Sequence, residues 1–173
     1  GGFGDVSFMK EVTSEMMAGS EIGKFYASGT ARVGENLNFK RVPVIKKQAI
    51  SAYDPRLIEV TGISMMVTAQ GADHTVGNNA TFKCDDKNIE DLVAESLRMQ
   101  INAAVADSLG LCVFGRSVTD DNLELISNAI NDAFDAGVTP DFIRNIGLET
   151  LRLEAAFNNA AGFDEEDDEL PSF

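Results

Sequence analysis

The chain has 173 residues, 14 basic against 28 acidic, and 44% of them are apolar, which is the length of one domain with material for a real core. A net charge of -14 excludes nucleic acid and an anionic membrane as principal partners, because both repel it. Two cysteines are too few for a disulfide framework and suit a reducing, cytoplasmic setting, and no run of about 20 apolar residues offers a membrane span.

The dominant hydrophobic period is helical. After Gly1-Gly2-Phe3-Gly4, a start without methionine that is expected of a fragment, Val6, Met9, Val12 and Met16 recur at helical spacing from Asp5 to a stop at Gly19. Ile22 to about Val33 predicts a second helix, weakened by Gly23 and Gly29. Residues 34–50 lose the period, and Phe39, Val42, Val44 and Ile45 around Pro43 read as a short extended segment. Lys40, Arg41, Lys46 and Lys47 there form the one basic patch, a solvated loop or a ligand contact.

Asp54-Pro55 predicts a helix start, with Asp54 as cap and Pro55 in the first turn, turning Ile58, Met65, Met66 and Ala69 inward. Residues 71–87 read as loop. Ile89, Leu92, Val93, Leu97, Ile101, Ala104 and Val105 then make the strongest helical stripe, running to about Ser108 and breaking at Gly110. Asp121 with Glu124 predicts a capping box before the Leu123–Phe134 stretch, and Thr139-Pro140 starts a last helix that Gly162 ends. The six consecutive acids from Asp164 to Glu169 read as an exposed tail, so the division is a multihelical domain, 1–162, and an acidic tail, 163–173. The fold class is all-α with at most one short extended pair.

Two segments carry the chemistry-bearing residues. In Asp107-Ser108-Leu109-Gly110-Leu111-Cys112, Asp107 sits in the last turn of a helix, where the macrodipole disfavours a carboxylate by roughly 0.3–1 kcal/mol. Cys112 follows on a turn where a thiolate can receive backbone N–H bonds, the setting of an iron–sulfur ligand; a surface Asp followed by a buried free Cys is the plainer reading. One cysteine cannot hold a cluster, and Cys84 lies in another loop without CxxC spacing. In Gly71-Ala72-Asp73-His74, the single histidine follows a glycine break; it is either a proton carrier or a surface residue.

Ala52-Tyr53-Asp54-Pro55-Arg56, Gly71-Ala72-Asp73-His74, Asp107 to Phe114 and the ending Phe157-Asn158 to Pro171, in that order, resemble the C-terminal helical region of the aldehyde ferredoxin oxidoreductase family, over almost the whole chain. The resemblance implies an enzyme with a tungsten or molybdenum bis-pterin and one 4Fe-4S cluster, oxidising small aldehydes to carboxylates with ferredoxin as acceptor. It implies that Cys112 is the fourth cluster ligand, that Asp107 hydrogen-bonds the pterin with the Leu111 backbone beside it, and that His74 serves near the metal in proton transfer or substrate placement. Gln70 and Val76 depart from the family, which often has basic residues at those places. The family's N-terminal cofactor-binding domain and its other three cluster cysteines are not in this sequence, so the fragment alone is expected to bind no cofactor and to be inactive. The competing reading is a non-enzymatic helical interaction domain that uses its acidic surface to hold a partner.

Overall fold

The computed structural model describes residues 1–173. It contains eight α-helices and a single two-stranded antiparallel hairpin, which is the all-α class expected. Helix α1 (Val6–Ala18) opens as its sequence predicts: the Asp5 carboxylate accepts from the Ser7 and Phe8 amides, and Gly19 ends it in the left-handed region. Its apolar stripe is not core, however, since Val6 and Met9 are each 62% exposed. The single second helix expected from Ile22 to Val33 is instead two, α2 (Glu21–Ala27) and α3 (Thr30–Asn36), broken at Ser28-Gly29.

The extended segment folds as a minimal hairpin, β1 (Val44–Ile45) and β2 (Gln48–Ala49), turning through Lys46 and Lys47. Both lysines have positive φ, the backbone of a type I′ turn, whose twist matches that of the strands. The helix expected at Asp54-Pro55 starts later, as α4 (Glu59–Val67). Asp54 makes a single turn instead: its carboxylate accepts from the Arg56 amide at 3.0 Å and the Arg56 guanidinium at 2.7 and 2.9 Å. Those bonds hold its pKa down to about 2.

Helix α5 (Ile89–Ser108) is the spine. Helix α4 lies on one side of it through a seam of small polar groups, in which Ser64 and Ser96 hydroxyls bond at 2.7 Å and the Gln100 amide donates to Ser96 at 3.0 Å. After the short α6 (Arg116–Thr119), α7 (Leu123–Phe134) and α8 (Pro140–Ala161) cover the other side. Ile101, Val105, Ile126 and Ile143 are the core there. Thr139 caps α8 through the Phe142 amide, with Pro140 in its first turn, as the sequence predicts. The expected capping box of α7 does not form: Asn122 takes the cap position without a side-chain bond, because the Asp121 carboxylate pairs with Arg98 of α5.

The acidic run does not trail free. Residues 165–167 make one 3₁₀ turn, Asp168 pairs with the Lys46 ammonium, and Leu170 packs on the small core of Ile45, Met65 and Ala72. The Lys46 side chain, 4% exposed, also donates to the Met66 carbonyl at 2.5 Å, and Arg41 lies over the Phe173 ring. Of the basic patch, Lys46 is thus taken up by the chain's own C-terminus, while Lys40, Arg41 and Lys47 are exposed, as the solvated-loop reading has them.

The α5–α8 crossing rests on Gly147, which is buried mid-helix. A Cβ there would stand 2.6 Å from the Ile101 carbonyl oxygen and 2.9 Å from Val105. In an open helix Gly→Ala stabilises by about 1 kcal/mol. Here overpacking, typically costing about 1–3 kcal/mol, should outweigh that gain. Gly147→Ala is therefore expected to lower the urea midpoint; a raised midpoint would show that the two helices part without cost.

Candidate functional site

The end of α5 is built by a glycine. Gly110 has φ 68°, which lets the Leu111 amide donate back to the Ala106 carbonyl at 2.8 Å and the Gly110 amide to Asp107 at 3.1 Å. Asp107, in the last turn of the helix, is exposed and lines a cleft; Leu111 is half-buried against the α5–α7–α8 core; Cys112, next in the chain, is an exposed free thiol that does not line the cleft. The plainer reading of Cys112 as a buried residue is excluded. An exposed thiol at a turn is the donor that a cluster ligand must be, and one such donor fills one of a cluster's four cysteine positions.

The Gly71–His74 loop begins with a close approach: Gly71 has φ 73°, and a Cβ on it would stand 2.6 Å from the Ile45 carbonyl oxygen. The loop is then held at both ends. The Ala72 amide donates to Met65, and the Thr75 carbonyl accepts from the Arg116 guanidinium at 3.0 Å. His74 is exposed, with its ring stacked on Tyr53 at 5.4 Å and 25°. Two segments that the sequence singles out separately, Tyr53 in Ala52–Arg56 and His74, are therefore one unit. The stack fixes the ring plane while leaving its nitrogens open to solvent or a partner.

Asp107 and Asp73 come together on one cleft of about 560 Å³. Its walls are the end of α4, the 70–76 loop, one side of α8 and the C-terminal segment. Asp73, Asp107, Glu154, Asp164, Glu165 and Asp168 all line it, against Lys46 as the single cation. His74, Leu111 and Cys112 are outside it. Glu154 carries the electrostatic cost. Partial withdrawal from water, and then the negative charges of Asp107 and Asp73, push its pKa above the ordinary value. Gln70 and Val76 also line this cleft, so neither place supplies a cation.

Arg116, Glu154 and Tyr53 carry this geometry without having been marked as site residues in the sequence. Arg116 follows Cys112 by four positions, a usable signal; Glu154 is an ordinary polar position on an amphipathic helix, and only the fold brings it to Asp107. Asn158 of the terminal motif has a structural task, donating to the Ala69 carbonyl at 2.8 Å and tying α8 to the end of α4.

Linkage sets the pH response. Glu154 in the folded state binds its proton more tightly than in the unfolded chain, so its contribution lowers stability as pH rises from its ordinary value of 4.5 through the raised one. Glu95 and Asp121 run the other way. The Arg98 hydrogen bonds lower both pKa values, so their contribution is present above the ordinary carboxylate range and lost as pH falls through the lowered values. Glu154→Gln should flatten the decline in melting temperature above pH 4.5, and Arg98→Gln should diminish the loss below about pH 4. Unchanged profiles in both variants would contradict these electrostatics.

Residues 2–173 match the family described as aldehyde ferredoxin oxidoreductase, domains 2 and 3. The tungsten-containing aldehyde ferredoxin oxidoreductase of Pyrococcus horikoshii is 30% identical over 161 residues, covering 86% of this chain and 26% of that protein. Those of Pyrococcus furiosus and Pyrococcus abyssi are each 29% identical over the same length. The chain spans about a quarter of the length of these curated relatives.

Proposed function

The chain belongs to the aldehyde ferredoxin oxidoreductase family, as its domains 2 and 3, and from that premise we propose that it is the C-terminal part of an enzyme oxidising aldehydes to carboxylates with ferredoxin as electron acceptor. The observation that carries this reading is the family match across residues 2–173 together with a free, exposed Cys112 one turn beyond Asp107. An N-terminal partner domain follows from domains 2 and 3 belonging to a multidomain enzyme. No helix is long and apolar enough to cross a membrane.

The residues of this chain fit a share of the family's cofactors. Cys112 would give one thiolate to a 4Fe-4S cluster whose other ligands lie outside these residues. Asp107, whose carboxylate enters no ion pair within the chain, would accept hydrogen bonds from the amino and ring N–H groups of a pterin, with the Leu111 backbone next to it. The relatives' names favour tungsten over molybdenum. When bound, the pterin-held metal supplies the two-electron oxidation, and the cluster a one-electron exit to ferredoxin.

His74 holds or moves the proton released as the aldehyde is hydrated and oxidised, and its stacking on Tyr53 restricts the ring to one plane for that task. Arg116, four residues after Cys112, donates to the Thr75 carbonyl and so ties the 70–76 loop that carries His74 to that segment. Asp107 lines the cleft, and Cys112, beyond the Gly110 turn, does not. One residue can therefore address the pterin and the other the cluster without competing for the same space.

In the full-length protein Cys112→Ala is expected to abolish electron transfer to ferredoxin and to reduce bound iron. Asp107→Asn should lower activity roughly 10–100-fold, as loss of a partner that orients a cofactor does. Full ferredoxin-linked activity and full iron content in the Cys112 variant would overturn the assignment.

A further inference from the structure

Helix α1 has a face that nothing in these residues covers. Val6, Met9, Thr13, Met16 and Met17 fall within one arc of about 100° around the helix, and Glu11 and Glu15 lie on the opposite side. No residue of α1 is buried, and Met17 is 85% exposed. In a chain of net charge -14, a strip of three methionines and a valine without a carboxylate has the composition of an interface.

The side of α1 that meets α2 is a different one. Phe8, Val12 and Glu15 share a small hollow there with Ile22 and Tyr26. The crossing is close: a Cβ on Gly23 of α2 would overlap the Glu15 carbonyl, and the Ser20 hydroxyl caps α2 through the Gly23 amide at 3.1 Å. The two helices are therefore one unit, and it turns the strip outward. This unit does not pack on α4, α5, α7 or α8; its main contact is internal, α1 on α2. Beyond the break at Ser28-Gly29 it is α3 that joins the hairpin, with Gly34 closed on the Val42 side chain. Two helices of 13 and 7 residues without a buried large side chain have no core with which to hold themselves together.

We propose that α1 and α2 belong to one domain and α4–α8 to the next, and that the Val6–Met17 strip seats an apolar helix face from the rest of that first domain, upstream of these residues in the same protein. The family matched by residues 2–173 comprises two domains, and the curated relatives are about four times as long, so the family has the chain to supply that face. The strip also lies on the first helix. The chain that leads into it holds its partner at high effective concentration, an advantage a second copy lacks. The 1–162 stretch is thereby divided at Ser28-Gly29, where the backbone already breaks. This inference rests on family membership and not on the reaction proposed above.

The test is methionine footprinting of the full-length protein with hydrogen peroxide, read by mass spectrometry, with the fully buried Met65 as internal standard. Met9, Met16 and Met17 are expected to oxidise roughly tenfold more slowly than in the urea-unfolded protein, and to keep that protection on dilution by about a hundredfold. Photo-methionine in their place, in a mixture of isotopically light and heavy protein, should link within one molecule and to residues upstream of Gly1. Met9→Glu with Met16→Glu should bring Met17 toward the unfolded rate while Met65 stays protected; should that variant not fold, the wild-type footprint and links decide by themselves. Oxidation of all three at the unfolded rate would leave the strip uncovered and overturn the proposal. So would protection lost on dilution with links between heavy and light chains, which makes the occupant a second copy, or links into α4–α8, which fold the strip onto this chain's own body. None of these outcomes bears on the iron content of the Cys112 variant, so the two readings fail separately.

Discussion

The approach of α8 to α5 at Gly147 is the constraint on which the rest of the molecule depends. With no side chain at that position, the backbone of α8 comes down onto the Ile101 carbonyl, and the second half of α5 packs against the 143–154 stretch of α8. Everything of chemical interest hangs from those two rods. The C-terminal end of α5 presents Asp107 and, through its glycine turn, Cys112. The facing stretch of α8 presents Glu154 and Asn158. On its other side α5 holds α4 through hydroxyls and an amide rather than through large apolar groups, and the end of α4 leads into the loop with Asp73 and His74. Packing at one crossing therefore sets the separation of groups that are far apart in the chain.

Electrostatics then gives the site its character. The chain's excess of acid is spread unevenly, and one part of it is gathered where helix ends, loop and C-terminal segment meet. The structure tolerates this by leaving the cleft open to water, by raising the proton affinity of Glu154, and by using Lys46 to anchor the most distant carboxylate. Elsewhere a few acids have partners, Arg98 for Glu95 and Asp121 and Arg56 for Asp54, and most of the others are exposed to water. A net charge of -14 is thus a largely solvated acidic surface with one concentration of carboxylates at the cleft.

Much of the local structure was legible because it depends on short-range chemistry. Asp5, Thr139 and Pro140 begin helices where they should, Gly19, Gly110 and Gly162 end them, and the extended stretch does pair into one hairpin. The failures share a cause. Asp54 and Asp121 look like caps by local rules, but each found an arginine: Arg56 two residues away, and Arg98 on another helix. A charged hydrogen bond outcompetes a cap of about 1 kcal/mol. The acidic run is exposed at Asp164, Glu165, Glu166 and Glu169, as its composition predicts, but the anchor at Asp168 was not legible, because its partner Lys46 lies 122 residues away.

The sequence by itself determined the helical class, most helix ends, the two segments that carry Asp107, Cys112 and His74, and the likeness to the oxidoreductase family. Those features rest on periodicity, capping and short motifs, all readable within a few residues. Only the tertiary structure decided that Cys112 is exposed, that His74 stacks on Tyr53, that Asp73 and Asp107 share a cleft with Glu154, and that the C-terminal segment takes up Lys46. Each of these is a meeting of distant segments, and which segments meet is set by how helices cross, information that no local window of sequence contains.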